Sequence, residues 1–241
     1  MKPLKVYIGW DPNEVAAYEV AVHSLLRHAS VPVSITPLRL DWLVKAGLVF
    51  FPRFQRLATG RLWDHLSRAH CATEFAITRF LTPVLAQEGP ALFVDCDVVF
   101  TGDVAALFAH ADERYAVQCV RHTHDAQPGI KMVDQVQYPY ARKNWSSVML
   151  FNCDHPATRA LSCATIGNMR GLDLHQFAWV PDGALGALPR EWNWLVGVHA
   201  RPDAPGIAHF TLGGPWLPGW EPREFDNLWE EARCLATGTP L

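Results

Sequence analysis

The run Leu92-Phe93-Val94-Asp95-Cys96-Asp97-Val98-Val99-Phe100 constrains this chain more than any other segment, because an apolar strand is interrupted by two carboxylates one residue apart. Ala91 to Val94 reads as a buried strand, and in open α/β sheets ligands gather beyond the carboxyl ends of such strands. Asp95 and Asp97 fall at that edge. Burying two like charges so close together is costly unless a cation neutralises them, and hard carboxylate oxygens suit magnesium or manganese better than zinc. Taken alone, the pattern fits either a divalent-metal site or a surface turn whose acids cap the next helix.

The rest of the composition narrows the setting. The chain has 241 residues, 49% of them hydrophobic, with no Pro/Gly/Ser-rich linker and no repeat, which predicts one compact domain. A net charge of −3 with scattered basic residues predicts no nucleic-acid partner. No apolar run approaches the roughly 20 residues of a membrane span, and Trp10-Asp11-Pro12 breaks the first apolar stretch too early for a secretory signal, so a cytoplasmic location is expected. The six cysteines show no Cys-x-x-Cys spacing and read as small buried thiols, not zinc ligands or disulfides.

Along the chain, strands and helices alternate. Residues 4–9 read as a strand, 13–28 as a helix and 31–38 as a second strand, a βαβ opening. Residues 40–69 are apolar but irregular, partly helical, with Arg53, Arg56, Arg61 and Arg68 read as a solvated face. The stripe Ile77, Phe80, Leu81, Val84 and Leu85 predicts a helix over 72–86 with Arg79 on the opposite side. After the aspartates come a helix start at Asp103, strands over 115–120 and 147–151, a helix over 156–168 and a short strand over 206–210. Residues 121–144 lack periodicity and suit a binding loop. Six tryptophans follow residue 178, residues that either stack on sugar faces or fill a core.

Several segments, in order, match one family. Thr78-Arg79-Phe80-Leu81-Thr82-Pro83 precedes Phe93-Val94-Asp95-Cys96-Asp97. Trp145-Ser146-Ser147-Val148-Met149-Leu150, Leu188-Pro189-Arg190-Glu191-Trp192-Asn193 and Ala208-His209-Phe210-Thr211-Leu212-Gly213-Gly214-Pro215-Trp216 follow. Together they resemble the retaining glycosyltransferases of family 8 and related GT-A enzymes, over residues 4 to about 220. The resemblance implies a single α/β, Rossmann-type domain over 1–241 with a central mixed sheet flanked by helices. About 1–100 would form the nucleotide-binding half and about 101–241 the acceptor and sugar-binding half. It further implies a hexosyltransferase that takes a sugar from a nucleotide donor, most simply a UDP-sugar, to a glycan, lipid-linked or protein acceptor.

By the same resemblance, Asp95, Asp97 and His209 would hold Mn2+ or Mg2+ against the donor diphosphate. Arg79 would contact donor oxygens, and Gly213 and Gly214 would offer backbone N–H groups to phosphate. Ile8, Gly9 and Asp11 would line the uridine pocket, and Asp95, Arg79 and Gln176 would act at the reacting bond. The chain departs from the family at three places: Gly214 stands where many members carry a phosphate-binding Lys, His175-Gln176 replaces an Asp-Gln pair, and Trp145 replaces an Asn. For the missing Lys, Arg79, Lys143 and Arg201 are alternative cations. No carboxylate is an evident covalent nucleophile, although Asp125, Asp134, Asp173 and Asp182 stay open; attack assisted by the leaving group is therefore the expected route to retention. Two other classes remain: a nucleotide-sugar-forming nucleotidyltransferase, disfavoured by the acidic Asp11 to Glu14 loop where a basic Gly-rich one is wanted, and a sugar-binding module without turnover.

Overall fold

A computed structural model describes residues 2–123, 129–131, 135–137 and 141–239. The chain opens with β1 (Leu4–Gly9), α1 (Val15–His28) and β2 (Val33–Leu38), as the periodicity predicts, with each end trimmed by two residues or fewer. Next come α2 (Leu40–Lys45) and a small antiparallel sheet of β3 (Phe54–Arg56), β4 (Leu62–Asp64) and β5 (Ala69–His70). Arg53 does not belong to a solvated face. Its guanidinium is buried on Asp64 at 2.7 and 2.8 Å and donates to the Ile166 carbonyl, tying this hairpin sheet to the second half of the chain.

The helix expected over 72–86 does not form as one piece. A 3-10 turn covers Thr78–Leu81, and only α3 (Thr82–Ala86) is α-helical. Pro83 explains the break: lacking an N–H, it cannot bond back to Arg79, and its ring disfavours a continuous helix through that point, whereas the first turn of a new helix accepts it. The stripe argument therefore misplaces Arg79, which is 6% exposed instead of facing solvent.

Then follow β6 (Pro90–Val94), β7 (Val98–Phe100), α4 (Val104–Phe108), β8 (Val117–Cys119), the paired β9 (Gly129–Lys131) and β10 (Gln135–Gln137), and β11 (Val148–Asn152). The helix predicted over 156–168 is two, α5 (Pro156–Arg159) and α6 (Cys163–Asn168), because Ser162 caps the second by accepting a hydrogen bond from Thr165 N at 3.1 Å. The chain closes with α7 (Gly171–His175), β12 (Leu185–Ala187), β13 (Trp194–Leu195), β14 (Ile207–His209) and α8 (Asp226–Thr237). No helix among the described residues is long and apolar enough to cross a membrane.

The central sheet has six strands in the order β12-β8-β11-β6-β1-β2. It is mixed: β1 runs parallel to β2 and β6, while β11 is antiparallel to both β6 and β8. A smaller sheet, β13-β14-β7, stands beside it. The chain leaves the central sheet at Val94 and enters the small one at Val98, so Asp95-Cys96-Asp97 is the crossing between sheets. Two apolar cores follow the same division. The larger runs from Val6 to Ile207 around the central sheet, and the smaller joins Val20, Val99, Trp194, Phe210 and Trp229. Trp192, Trp194 and Trp229 are buried, so these three late tryptophans fill core instead of offering faces to sugar.

Candidate metal and donor site

Register, not sequence proximity, assembles the site. β14 is antiparallel to β7 with His209 opposite Val98, which sets the imidazole beside Asp97, and Phe210 N donates to the Asp97 carbonyl at 2.9 Å. From the other side, β11 lies opposite β6 with Val148 facing Val94, and Asp95 N donates to the Ser147 carbonyl at 2.9 Å. The two acids are thus fixed by backbone bonds to residues that flank two different strands, Ser147 before β11 and Phe210 after β14. One ligand atom from each of Asp95, Asp97 and His209 lies within 4.8 Å of the others.

His209 is held in one orientation. The Asn193 side chain donates through Nδ2 to the Asn144 carbonyl at 3.1 Å, which turns its Oδ1 toward His209 Nδ1 at 2.8 Å. Nδ1 therefore carries a ring proton, and Nε2 faces Asp97 Oδ1, 3.3 Å away. A proton or a metal cation between Nε2 and Oδ1 satisfies both atoms. Asp95 Oδ1 is buried without an aligned hydrogen-bond donor, although Arg79 Nη1, which donates to the Ser146 carbonyl at 2.9 Å, also forms an ion pair with it at 2.9 Å. Burial raises the Asp95 pKa, the Arg79 charge opposes this, Asp97 adds to it, and His209 and the Ser147 hydroxyl lower it. Two carboxylates and an oriented imidazole form a donor set that fits a divalent metal ion.

Arg79 sits behind Asp95, enclosed by the rings of Phe75 and Phe93 at 5.3 and 5.0 Å. Below it, His175 shares a 2.7 Å hydrogen bond with Ser146 and lies edge-on to Phe80. Burial, with the Arg79 charge nearby, lowers the His175 pKa to about 3 against a weaker backbone hydrogen bond at Ala76, so the ring is neutral. The position that is Asp in the family pattern thus packs under Arg79 as an uncharged support.

The remaining predicted residues are placed as follows. Ile8 is fully buried in β1, and Gly9 packs so closely on Phe75 that a Cβ there would meet the ring at 2.5 Å. Asp11 accepts from Asn13 N and Glu74 N at 2.9 and 2.8 Å, binding the loop after β1 to the turn before Arg79. Gly213 N donates to the Phe210 carbonyl at 2.7 Å and so is not offered to phosphate, contrary to the expectation for this turn. Gly214 faces the Trp216 ring, 2.1 Å from where a Cβ would stand, so a side chain there would have to displace the indole. Arg201 lies near the Trp194 and Phe225 rings at 5.9 and 6.0 Å.

Gln176 lines an open cleft of about 460 Å³ with Arg142, Phe177, Val180 and Asp182. Arg142 donates to its carbonyl at 2.8 Å and lies over Trp145, the residue preceding Ser146. Asp173 and Asp182 are paired with Arg170 and Arg142, whereas Asp125 and Asp134 fall outside the described residues.

Sequence reasoning left Asn193, Ser147 and Glu14 without roles. Asn193 ends the Leu-Pro-x-x-Trp-Asn match and Ser147 lies within another, so the signal for both was present. Glu14 had none. Its carboxyl is pushed up to about 8, first by burial and then by Asp97, with Asp11 and Asp95 adding and the bond from Cys96 opposing.

A mixed sheet continued through an Asp-x-Asp crossing into a second small sheet is the GT-A glycosyltransferase fold, and solved structures agree. Apo GlyE from Streptococcus pneumoniae TIGR4 aligns with a TM-score of 0.61 at 16% identity over 96% of this chain, which spans 60% of the length of GlyE. The galactosyltransferase LgtC, solved in complex with donor and acceptor sugar analogues, aligns with a TM-score of 0.52 at 14% identity over 98% of this chain and 96% of LgtC. No protein-family profile matches the sequence. Protein CDI of Arabidopsis thaliana is 39% identical over 234 residues, covering 95% of this chain and 85% of the relative, and the chain belongs to the family of that protein.

Proposed function

We propose that this protein is a metal-dependent glycosyltransferase that moves a hexose, with retention of anomeric configuration, from a UDP-sugar to an acceptor hydroxyl. One observation carries the reading: Asn193 orients His209 Nε2 toward Asp97, beside Asp95, so that one ligand atom from each of the three residues can meet a single cation. Breaking a sugar–diphosphate bond builds negative charge on the departing nucleotide, and a site that already holds compensating charge there lowers the barrier.

A bound divalent ion supplies Lewis acidity toward diphosphate oxygens. Asp95, Asp97 and His209 hold it, and the Ser147 and Phe210 backbone contacts keep the two acids from swinging apart. Arg79 acts through Asp95, offsetting its burial and fixing its carboxylate while leaving Oδ1 without an aligned hydrogen bond. Gln176 acts on the sugar side from its cleft, where Arg142 fixes its backbone. The loop at Gly9 and Asp11 borders the nucleotide, with Asp11 shaping it through Asn13 and Glu74. A glycan, lipid-linked or protein hydroxyl completes the reaction.

The test is donor hydrolysis and transfer with a panel of nucleotide sugars, with manganese and with chelator. Sugar release from one UDP-sugar that stops on chelation is expected. Formation of nucleoside triphosphate and sugar 1-phosphate when pyrophosphate is added to the nucleotide sugar would mark a nucleotidyltransferase, and binding without turnover of any donor would mark a sugar-binding module; either overturns the reading.

A further inference from the structure

We infer that Glu14 is a positioning residue for the metal carboxylates: by accepting a hydrogen bond from the Cys96 thiol, it ties the N-terminus of α1 to the backbone between Asp95 and Asp97. The bond is 3.2 Å from Sγ to Oε2, and Cys96 is fully buried.

Glu14 occupies the N-cap of α1, a position where Asp, Asn, Ser or Thr ordinarily accepts an N–H from the first helical turn. Here it makes no such cap. It reaches inward to the thiol instead, toward the crossing that carries Asp95 and Asp97. An acid turned inward is characteristic of positions kept for a site instead of for stability. The mechanical need is visible in the topology. Asp95 is pinned to Ser147 and Asp97 to Phe210, but these anchors flank strands of different sheets, and Cys96 lies between them. A third tether at Cys96 fixes the peptide planes on both sides, and with them the separation of the two carboxylates. Groups that hold metal ligands in place typically change affinity by 10- to 100-fold when altered.

The inference rests on the metal reading above, and its test uses manganese alone, titrated into the protein and followed by the electron paramagnetic resonance of the free ion. Glu14→Asp keeps the carboxyl group but draws it back by one methylene. Glu14→Gln keeps the reach and an acceptor oxygen but removes the ionisable group. Reach is what the tether needs, so Glu14→Asp should weaken manganese binding about 10-fold, while Glu14→Gln should stay within about 3-fold of the parent and unfold at no lower temperature. Cys96→Ala should weaken binding like Glu14→Asp, and the double variant should be no weaker than either single one, as for two halves of one interaction.

Parent protein that binds manganese alongside a Glu14→Asp variant that binds equally well overturns the tether and leaves the metal site standing. A Glu14→Gln variant as weak as Glu14→Asp also overturns it, because the carboxyl group itself, and not its reach, would then be the operative property. Parent protein that binds no manganese removes the metal reading and the inference together.

Discussion

His209 shows how one side chain's role is decided by its neighbour. An imidazole at a strand end is ordinarily a packed core group, but the Asn193 amide, itself fixed by the Asn144 carbonyl, assigns a proton to Nδ1 and turns Nε2 toward Asp97. Asn193→Ala should therefore weaken manganese binding by about 10- to 100-fold with His209 intact, as measured by titration of the metal alone; unchanged affinity would mean that backbone register suffices to aim the ring. Asp97→Asn should lower turnover on the order of 100-fold or more by removing charge that holds the ion, and if activity per folded molecule survives, the acid is structural. His175 gives a prediction in pH. Its folded pKa, about 3, lies below the ordinary value of 6.5, so its contribution is complete above about 6.5 and is lost as pH falls toward 3, because the unfolded chain takes up a proton that the folded chain refuses. The loss approaches roughly 1.4 kcal/mol per pH unit in that window. His175→Gln cannot titrate, so denaturant melts between pH 7 and 4 should show the parent losing more stability than the variant; parallel losses would place the ring in contact with solvent.

At the scale of elements, sequence legibility followed how each element is stabilised. α1, β1 and β6 were readable because periodicity and burial agree there. The helix expected over 72–86 was not, since its apolar stripe was real while Pro83 set the backbone, and the error carried Arg79 to the wrong side. The metal triad was legible only through motif order, because what joins its members is the antiparallel pairing of β14 with β7, a long-range register that no local pattern encodes. Glu14 was illegible for a related reason: its partner Cys96 is 82 residues away. The terminal turn adds a testable case. Gly214 meets Trp216 so closely that restoring the family's Lys must displace the indole, which itself packs on Phe210 and Trp229. Gly214→Lys should destabilise the protein by about 1–3 kcal/mol, the usual cost of overpacking, in chemical denaturation. A variant as stable as the parent would show that the turn can open to admit a side chain.

For the whole molecule, the site's position between two cores matters more than any single contact. Asp95 is anchored toward the central sheet and Asp97 toward the small one, so a ligand that engages both clamps the two sheets across their crossing. The apo chain bears the cost of a buried acid there, and a bound ion with nucleotide diphosphate relieves it. Anything that binds only the native state stabilises by mass action, about 2.7 kcal/mol at a hundred times its dissociation constant. For a chain of this size each kcal/mol raises the unfolding midpoint by roughly 2–4 °C, so saturating UDP-sugar with manganese should raise it by about 5–10 °C. The ordering of conditions is the diagnostic part. Manganese alone should give a small rise, the matched donor with manganese a large one, and the donor in excess chelator almost none, because Asp95 and Asp97 repel a bare diphosphate. Asp97→Asn should abolish the combined rise while leaving the apo midpoint near that of the parent. A donor that stabilises equally with and without chelator would show that the nucleotide is held away from the Asp-Cys-Asp crossing, and the metal-centred reading of this fold would fail.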